Sequence, residues 1–381
     1  MNTYQNRKTW DNDVRGLDAM SLTSNVYYPE FDGQIISVTC CTYETMIDEF
    51  GEKSIFLPID ERVNKIARMA MGWSRLANKV FIELASGGAK DFNQLFSLIK
   101  WSAYGQYLSN TKLSLKIQTK NSMLSASRAI QSVAHKALLE SITNFWKEEN
   151  FTTELLLSIE NNKAHLYLNS SWTALYQRGY KTQAWEAPLK ENLAVALLLL
   201  ANRKFKSPLI DPFCWSGTIA IEGALLAKNI APWSRRNFAF EKFKNFEAWT
   251  FEKIKQDAKA WIFKNKYTIF ASDIDTQMIN IAQNNAKRAN VDDIITFQQK
   301  NFLTSNFHTE ENTRIITNPP YGKRIKNQNL ENIYTRLNDT FKWNIFWGWI
   351  STYSINKTKE ERRNEKKLFN GNEQCYFQWR K

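Results

Sequence analysis

Two stretches, far apart in the chain, hold the residue types that chemistry needs. Thr317-Asn318-Pro319-Pro320-Tyr321-Gly322 sets a carboxamide, a carbonyl on a proline-fixed backbone and an aromatic ring side by side, on a loop after the strand-like Arg314-Ile315-Ile316-Thr317. Such a set suits holding a planar base by its amino group, with Tyr321 stacking on the base face. Leu209-Ile210-Asp211-Pro212-Phe213-Cys214-Trp215-Ser216-Gly217-Thr218 reads as the end of a buried strand, a tight turn and the start of a helix through Ile219, Ala220, Ile221, Ala224 and Leu225. A doubly wound sheet offers its crevice to a nucleotide-like ligand in this way. Between the two, Thr268 to Ser272 reads as a short buried strand ending in Asp273, whose carboxylate suits ribose hydroxyls. Asp275 then caps a helix through Met278, Ile281 and Ala282.

Together these motifs resemble the class I S-adenosylmethionine-dependent methyltransferases that act on exocyclic amino nitrogens. The resemblance narrows to the THUMP-containing RNA guanine-N2 methyltransferases, and it runs from about Ile66 to Trp379. It implies that S-adenosylmethionine is held by Asp211, Phe213, Cys214, Trp215, Ser216, Gly217 and Thr218, with Asp273 and Ile274 at the nucleoside. Asn301 stands where the family usually has an Asp facing the adenine amino group, and an amide oxygen still accepts that hydrogen bond. Asn318, Pro319, Pro320 and Tyr321 would hold the target base. The guanine N2 lone pair is conjugated into its ring, so the Asn318 side-chain oxygen and the Pro319 carbonyl would accept the two amine hydrogens and turn that lone pair toward the methyl group.

For RNA, the resemblance offers Lys116, Lys120, Ser122 and Arg128 as grips on phosphates and sugar edges, and Lys323 and Arg324 as phosphate contacts beside the base. Each could equally be a solvated surface residue. Large-subunit ribosomal RNA is the favoured substrate and transfer RNA the alternative. A DNA adenine-N6 enzyme ranks lower because the THUMP-like half argues for RNA. The non-enzyme reading is an RNA-binding paralogue whose cofactor site is lost.

The elements that must position these residues imply an α/β chain. An irregular extension (1–30) leads into an α+β, ferredoxin-like and THUMP region (31–168), followed by a Rossmann-like, mostly parallel, doubly wound methyltransferase domain (169–381). Gln34 to Cys40 alternates as a strand, and Tyr43 to Phe50 reads as a short helix. From Asn64 the spacing of Ile66, Met69, Met71, Leu76, Val80, Phe81 and Leu84 predicts a helix, and Ser74 to Val80 resembles the opening helix of THUMP domains. Strands are predicted at Leu113–Gln118, Glu154–Ile159, Ala164–Leu168 and Ile294–Phe297, and a helix at Ser127–Phe145. Asn169 to Lys181 links the domains, and Pro188 opens an aliphatic helix. Ile333, Leu337, Phe341 and Phe346 suggest a helix, Trp349 to Tyr353 a strand, and Lys366 to Trp379 a closing hairpin around Asn370-Gly371.

A net charge of +13 over 381 residues favours a polyanionic partner. Cys40, Cys41, Cys214 and Cys375 show no metal-ligand spacing, so no metal is expected and a reducing cytoplasm fits. Met1 to Asp13 lacks an apolar core segment, and the longest aliphatic run, Leu193 to Ala201, is too short to span a bilayer.

One anomaly touches the site. At an average usage of about 7%, a chain of this length would carry roughly 27 glycines. It has 13 Gly beside 14 Trp, two counts that together match that expectation. The resemblance places glycine at Trp172, Trp185, Trp215 and Trp347. Some bacteria read UGA as glycine, and a table that reads it as tryptophan would leave this pattern. The rival is a genuine tryptophan in a dead paralogue.

Overall fold

The computed structural model describes short strand segments within 30–57 and most of 75–380, leaving out 103–106, 109–111, 142–151, 182–187, 202–206, 321–331, 338–345, 353–363 and a few isolated positions. In the N-terminal half lie β1 (Glu30–Phe31), β2 (Gln34–Ile35), β3 (Ser37–Val38), β4 (Ser54–Leu57), β5 (Lys79–Gly88), α1 (Phe92–Lys100), β6 (Lys112–Lys120), α2 (Ser127–Ser141), β7 (Thr152–Glu160) and β8 (Lys163–Asn169). Six of the strands form a sheet in the order β3-β4-β5-β8-β7-β6. The two helices bury Leu95 and Ile99, and Ile130, Ala134, Ala137 and Leu138, at the spacing of a one-sided helix. Asp91 caps α1 by accepting from the amides of Asn93 and Gln94.

The helix predicted through Leu84 is corrected here, because Lys79 to Gly88 is strand β5. Val80, Phe81, Ile82 and Leu84 are all buried: Val80, Ile82 and Leu84 share the core of Leu95 and Ile130 from the two helices, while Phe81 meets the Tyr167 ring at 6.4 Å, and a strand covered on both faces shows a run of apolar residues rather than alternation. The predicted Tyr43–Phe50 helix and the Asn64–Met71 start lie outside the described residues.

The second half holds α3 (Glu191–Leu200), β9 (Leu209–Asp211), α4 (Thr218–Ala227), α5 (Ala248–Ala260), β10 (Ile269–Asp273), α6 (Thr276–Ala289), β11 (Ile295–Gln299), β12 (Arg314–Thr317), β13 (Phe346–Ser351), β14 (Asn364–Asn370) and β15 (Glu373–Arg380). Its sheet runs β11-β10-β9-β12-β13-β15-β14. The first five strands are parallel, while β15 and β14 join antiparallel as the predicted hairpin. Every residue of α4 is buried, as an apolar helix pressed between sheet and neighbours must be. Phe346 opens β13 instead of closing a helix; within the predicted helix, only 332–337 is described as helical.

An aromatic segment between α4 and β10, which the sequence reading passed over, ties the halves together. Trp233, Phe238, Phe240 and Phe251 belong to the same core as the N-terminal sheet, and Phe243 packs edge-on to Tyr107 at 6.0 Å. Arg236 donates to the carbonyls of Ser171, Thr173 and Ala174 in the linker.

A second tie is ionic. Arg178 lies buried 3.8 Å from the fully buried Glu222 of α4 and donates to the Leu175 carbonyl, while Tyr180 donates to Glu222 at 3.1 Å. Burial pushes the Glu222 carboxyl up, with the Arg178 charge opposing it. Removing one partner of a buried pair strands the other, at about 3–5 kcal/mol. Arg178→Ala should therefore lower the urea-unfolding stability by about that much; a loss below about 1 kcal/mol would show the pair to be incidental.

Candidate functional site

The strand order reverses between β9 and β12, so the carboxyl ends of these two strands open a crevice. Asp211 ends one and Thr317 the other. The Thr317 hydroxyl donates to Asp211 Oδ1 at 2.6 Å and accepts from the Phe213 amide at 3.2 Å. Thr317 thus pins the two lips together. Sequence reading gave it no role, although a hydroxyl at the end of a buried strand just before Asn-Pro-Pro is a visible signal.

The turn after β9 is shaped for close approach. Gly217 has φ 84, and a Cβ there would sit 3.0 Å from the Ala282 Cβ. It caps α4, whose first turn carries neither a side-chain cap nor an acidic residue, leaving free amides at the crevice. Cys214 is buried, its amide bonded to the Ser272 carbonyl, and the Ser216 carbonyl accepts from Asn285. Opposite, Asp273 accepts from the Trp215 amide at 3.0 Å and the Asp275 amide at 3.1 Å, and Asp275 caps α6 as expected. Ile274 beside it is 62% exposed, an apolar surface at the strand end. Asn301 spends its side-chain oxygen on the Leu303 amide at 2.9 Å, bracing its own loop.

Asn318, Pro319 and Pro320 are all buried. The Pro320 carbonyl accepts from Tyr334, a second support that sequence reading missed. The Asn318 side-chain oxygen is buried and has no partner among the described residues. Tyr321, Lys323 and Arg324 lie outside the described residues, as does Trp185.

Trp215 decides what the crevice admits. Its indole Nε1 donates to the Asn318 backbone carbonyl at 2.8 Å, so the ring spans from one lip to the other. Its backbone stands at φ 49, a left-handed conformation that costs a residue with a Cβ about 1–2 kcal/mol. Asp273, Gly217 and the amides of α4 fit the nucleoside cofactor that the resemblance implies. The indole does not, because it occupies the passage between the turn and the Asn-Pro-Pro loop.

Asp211 is fully buried, and burial pushes its carboxyl up to about 7, helped by the Asp273 charge and opposed by the bonds from Thr317 and Phe213. A carboxyl raised on folding stabilises the fold only while protonated. That contribution is complete below the usual carboxylate range and is lost as pH rises through about 7. The unfolding midpoint should therefore fall between about pH 4 and pH 7, by roughly 2–4 °C for each kcal/mol lost. Asp211→Asn should flatten that slope; parallel slopes in scanning calorimetry would exclude Asp211 as its source.

The RNA-grip candidates sit apart from the crevice, on the N-terminal sheet. Lys116 pairs with Glu154 at 2.9 Å and Lys120 with Glu160 at 3.5 Å. Ser122 donates to the Lys120 carbonyl and accepts from the Asn162 amide, shaping the turn. Arg128 is exposed in the first turn of α2. Among the described residues no group of three or more His, Cys, Asp or Glu could hold a metal, and no helix is long and apolar enough to cross a membrane.

Seven strands in this order, with an acidic residue at the end of each of the two strands flanking the glycine turn, define the fold of the class I methyltransferases. Comparison with known proteins agrees. The family described as "RMKL-like, methyltransferase domain" matches residues 178–373, and this chain belongs to that family. "Putative RNA methyltransferase YpsC" of Bacillus subtilis (strain 168) is 34% identical over 318 residues, which cover 78% of this chain and 81% of the relative. "Ribosomal RNA large subunit methyltransferase K/L" of Shewanella baltica (strain OS185) is 31% identical over 80% of this chain; the chain spans about half, 46%, of that relative's length. Among solved structures, SMU.472, "a putative methyltransferase complexed with SAH", shares the fold with a TM-score of 0.74 at 24% identity, over 83% of this chain and 87% of its own. A second family, CobN/magnesium chelatase, matches residues 1–81, most of which lie outside the described residues.

Proposed function

We propose that this protein is an S-adenosylmethionine-dependent RNA methyltransferase that modifies the exocyclic N2 of a guanine, with large-subunit ribosomal RNA as substrate. The observation that carries the reading is the buried Asn318 side-chain oxygen at the switch point of the sheet, without a partner among the described residues. A buried acceptor without a donor costs about 1–3 kcal/mol, a cost that an arriving amine would relieve. The cofactor would supply an electrophilic methyl group. The chain's own part is to hold the base: Asn318 and the Pro319 carbonyl accept the amine hydrogens, and Tyr321 stacks on the ring. Asp273 would meet the ribose of the cofactor.

RNA as the partner is supported by the names of the relatives and by the net charge of +13. In this reading the β5–β8 unit is the THUMP-like RNA grip, with Arg128 one of its exposed cations. Transfer RNA is the alternative substrate, and with a genuine Trp215 the chain would be an inactive RNA-binding paralogue.

The test uses tritiated S-adenosylmethionine and Trp215→Gly protein, offered unmodified ribosomal RNA, transfer RNA and duplex DNA, followed by nucleoside analysis. N2-methylguanosine from ribosomal RNA is expected. The same nucleoside from transfer RNA alone would select the alternative, and N6-methyladenine would sink the guanine reading.

A further inference from the structure

The backbone angles carry an inference about positions 172 and 215 that leans on the proposed function only for its second measurement. Among the described residues, the non-glycine positions with positive φ are Asn121, Asn161, Asn162, Asn229, Asn290 and Asn312, together with Trp172 at φ 70 and Trp215 at φ 49. Asparagine visits this region because its short polar side chain bonds locally. An indole has no such compensation, and its Cβ meets the same clash as any other. The chain holds 14 Tyr and 24 Phe, yet neither these nor any aliphatic residue stands among those positions. Only tryptophan does, at two of the places where the motifs ask for glycine.

In both cases the backbone serves the fold. The Trp172 carbonyl accepts from Asn169 in the turn after β8, where the ring is 42% exposed. The Trp215 amide donates to Asp273, two residues before Gly217, in a turn bent twice through the left-handed region. The Trp215 side chain bars the crevice that this backbone forms. Trp347 marks the contrast: it lies in β13, buried and stacked on Trp349 at 4.3 Å, a conformation any residue adopts. The dihedral argument therefore selects two of the four suspected tryptophans, not all of them.

We infer that residues 172 and 215 are glycine in the protein as its source organism makes it, the codon printed as tryptophan being decoded there as glycine. Glycine at 172 lets the linker turn form without strain, and glycine at 215 opens the crevice while keeping the amide that Asp273 holds.

The direct test is peptide mass spectrometry of the protein purified from its natural source, over peptides covering both positions. Glycine masses at 172 and 215 are expected; a tryptophan mass at either overturns the inference. A parallel titration of S-adenosylhomocysteine into Trp172→Gly, Trp215→Gly protein separates this inference from the cofactor reading. Glycine masses with no binding would leave the inference standing and sink the proposed function instead.

Discussion

Trp215→Gly should raise affinity for S-adenosylhomocysteine by about 10- to 100-fold over the chain as written. To admit the ligand, the written chain must break the indole bond to the Asn318 carbonyl, worth a net ~0.5–1.5 kcal/mol. It must also swing a half-buried ring into water, at about half of the 1.5–3 kcal/mol for burying a large apolar side chain fully. Together these come to about 1–3 kcal/mol, at tenfold for each 1.4 kcal/mol. The size of the residue should order a short series. Trp215→Phe loses only the hydrogen bond and should gain less than about tenfold. Trp215→Ala removes the ring but keeps a Cβ at φ 49, so it should fall between phenylalanine and glycine. Isothermal titration of the series decides the matter, and equal affinities for the written and glycine forms would show that the indole moves aside without cost.

The same residue shows where sequence reading succeeds and where it stops. The crevice was legible because its parts are local: a buried three-residue strand into a small-residue turn, an acidic strand end at Asp273, and Asn-Pro-Pro after β12. The family resemblance placed glycine at position 215, and φ 49 shows the strain that a residue with a Cβ bears there. What lay hidden depends on contacts between distant segments. Lys79 to Gly88 reads as a helix because burial on both faces removes the alternation of a strand, and that burial comes from distant segments, α1 and α2 for Val80, Ile82 and Leu84 and Tyr167 for Phe81. Thr317 and Tyr334 gain their roles only when β9, β12 and the 332–337 helical segment meet. Nothing in the order Ala231 to Ala258 announces that its aromatic residues fill the core of the other sheet. Lys116 and Lys120 read in the sequence as isolated cations, and only the parallel pairing of β6 with β7 reveals that each stands beside a glutamate.

In the Trp215→Gly background, Asn318→Ala should lower the rate of methyl transfer by about 10²–10³, the loss seen when one preorganised hydrogen-bond partner of a developing charge is removed. Cofactor affinity should stay within about threefold, because Asn318 would meet the base and not the nucleoside; threefold is under 1 kcal/mol. Stability should move the other way. The Asn318 side-chain oxygen is buried without a partner among the described residues, so deleting it relieves a cost of about 1–3 kcal/mol in the free protein. A plain packing residue would lose stability and activity together. A functional acceptor held ready in a dry site shows an unchanged or higher melting temperature beside a lost rate. Asn318→Asp keeps an acceptor but adds a charge, and it should recover part of the rate as the positive charge grows on the amine nitrogen. Single-turnover transfer measured beside thermal unfolding on the two variants makes the distinction. An Asn318→Ala rate within threefold of its parent would remove Asn318 from the chemistry and leave the Pro319 carbonyl as the acceptor to test next.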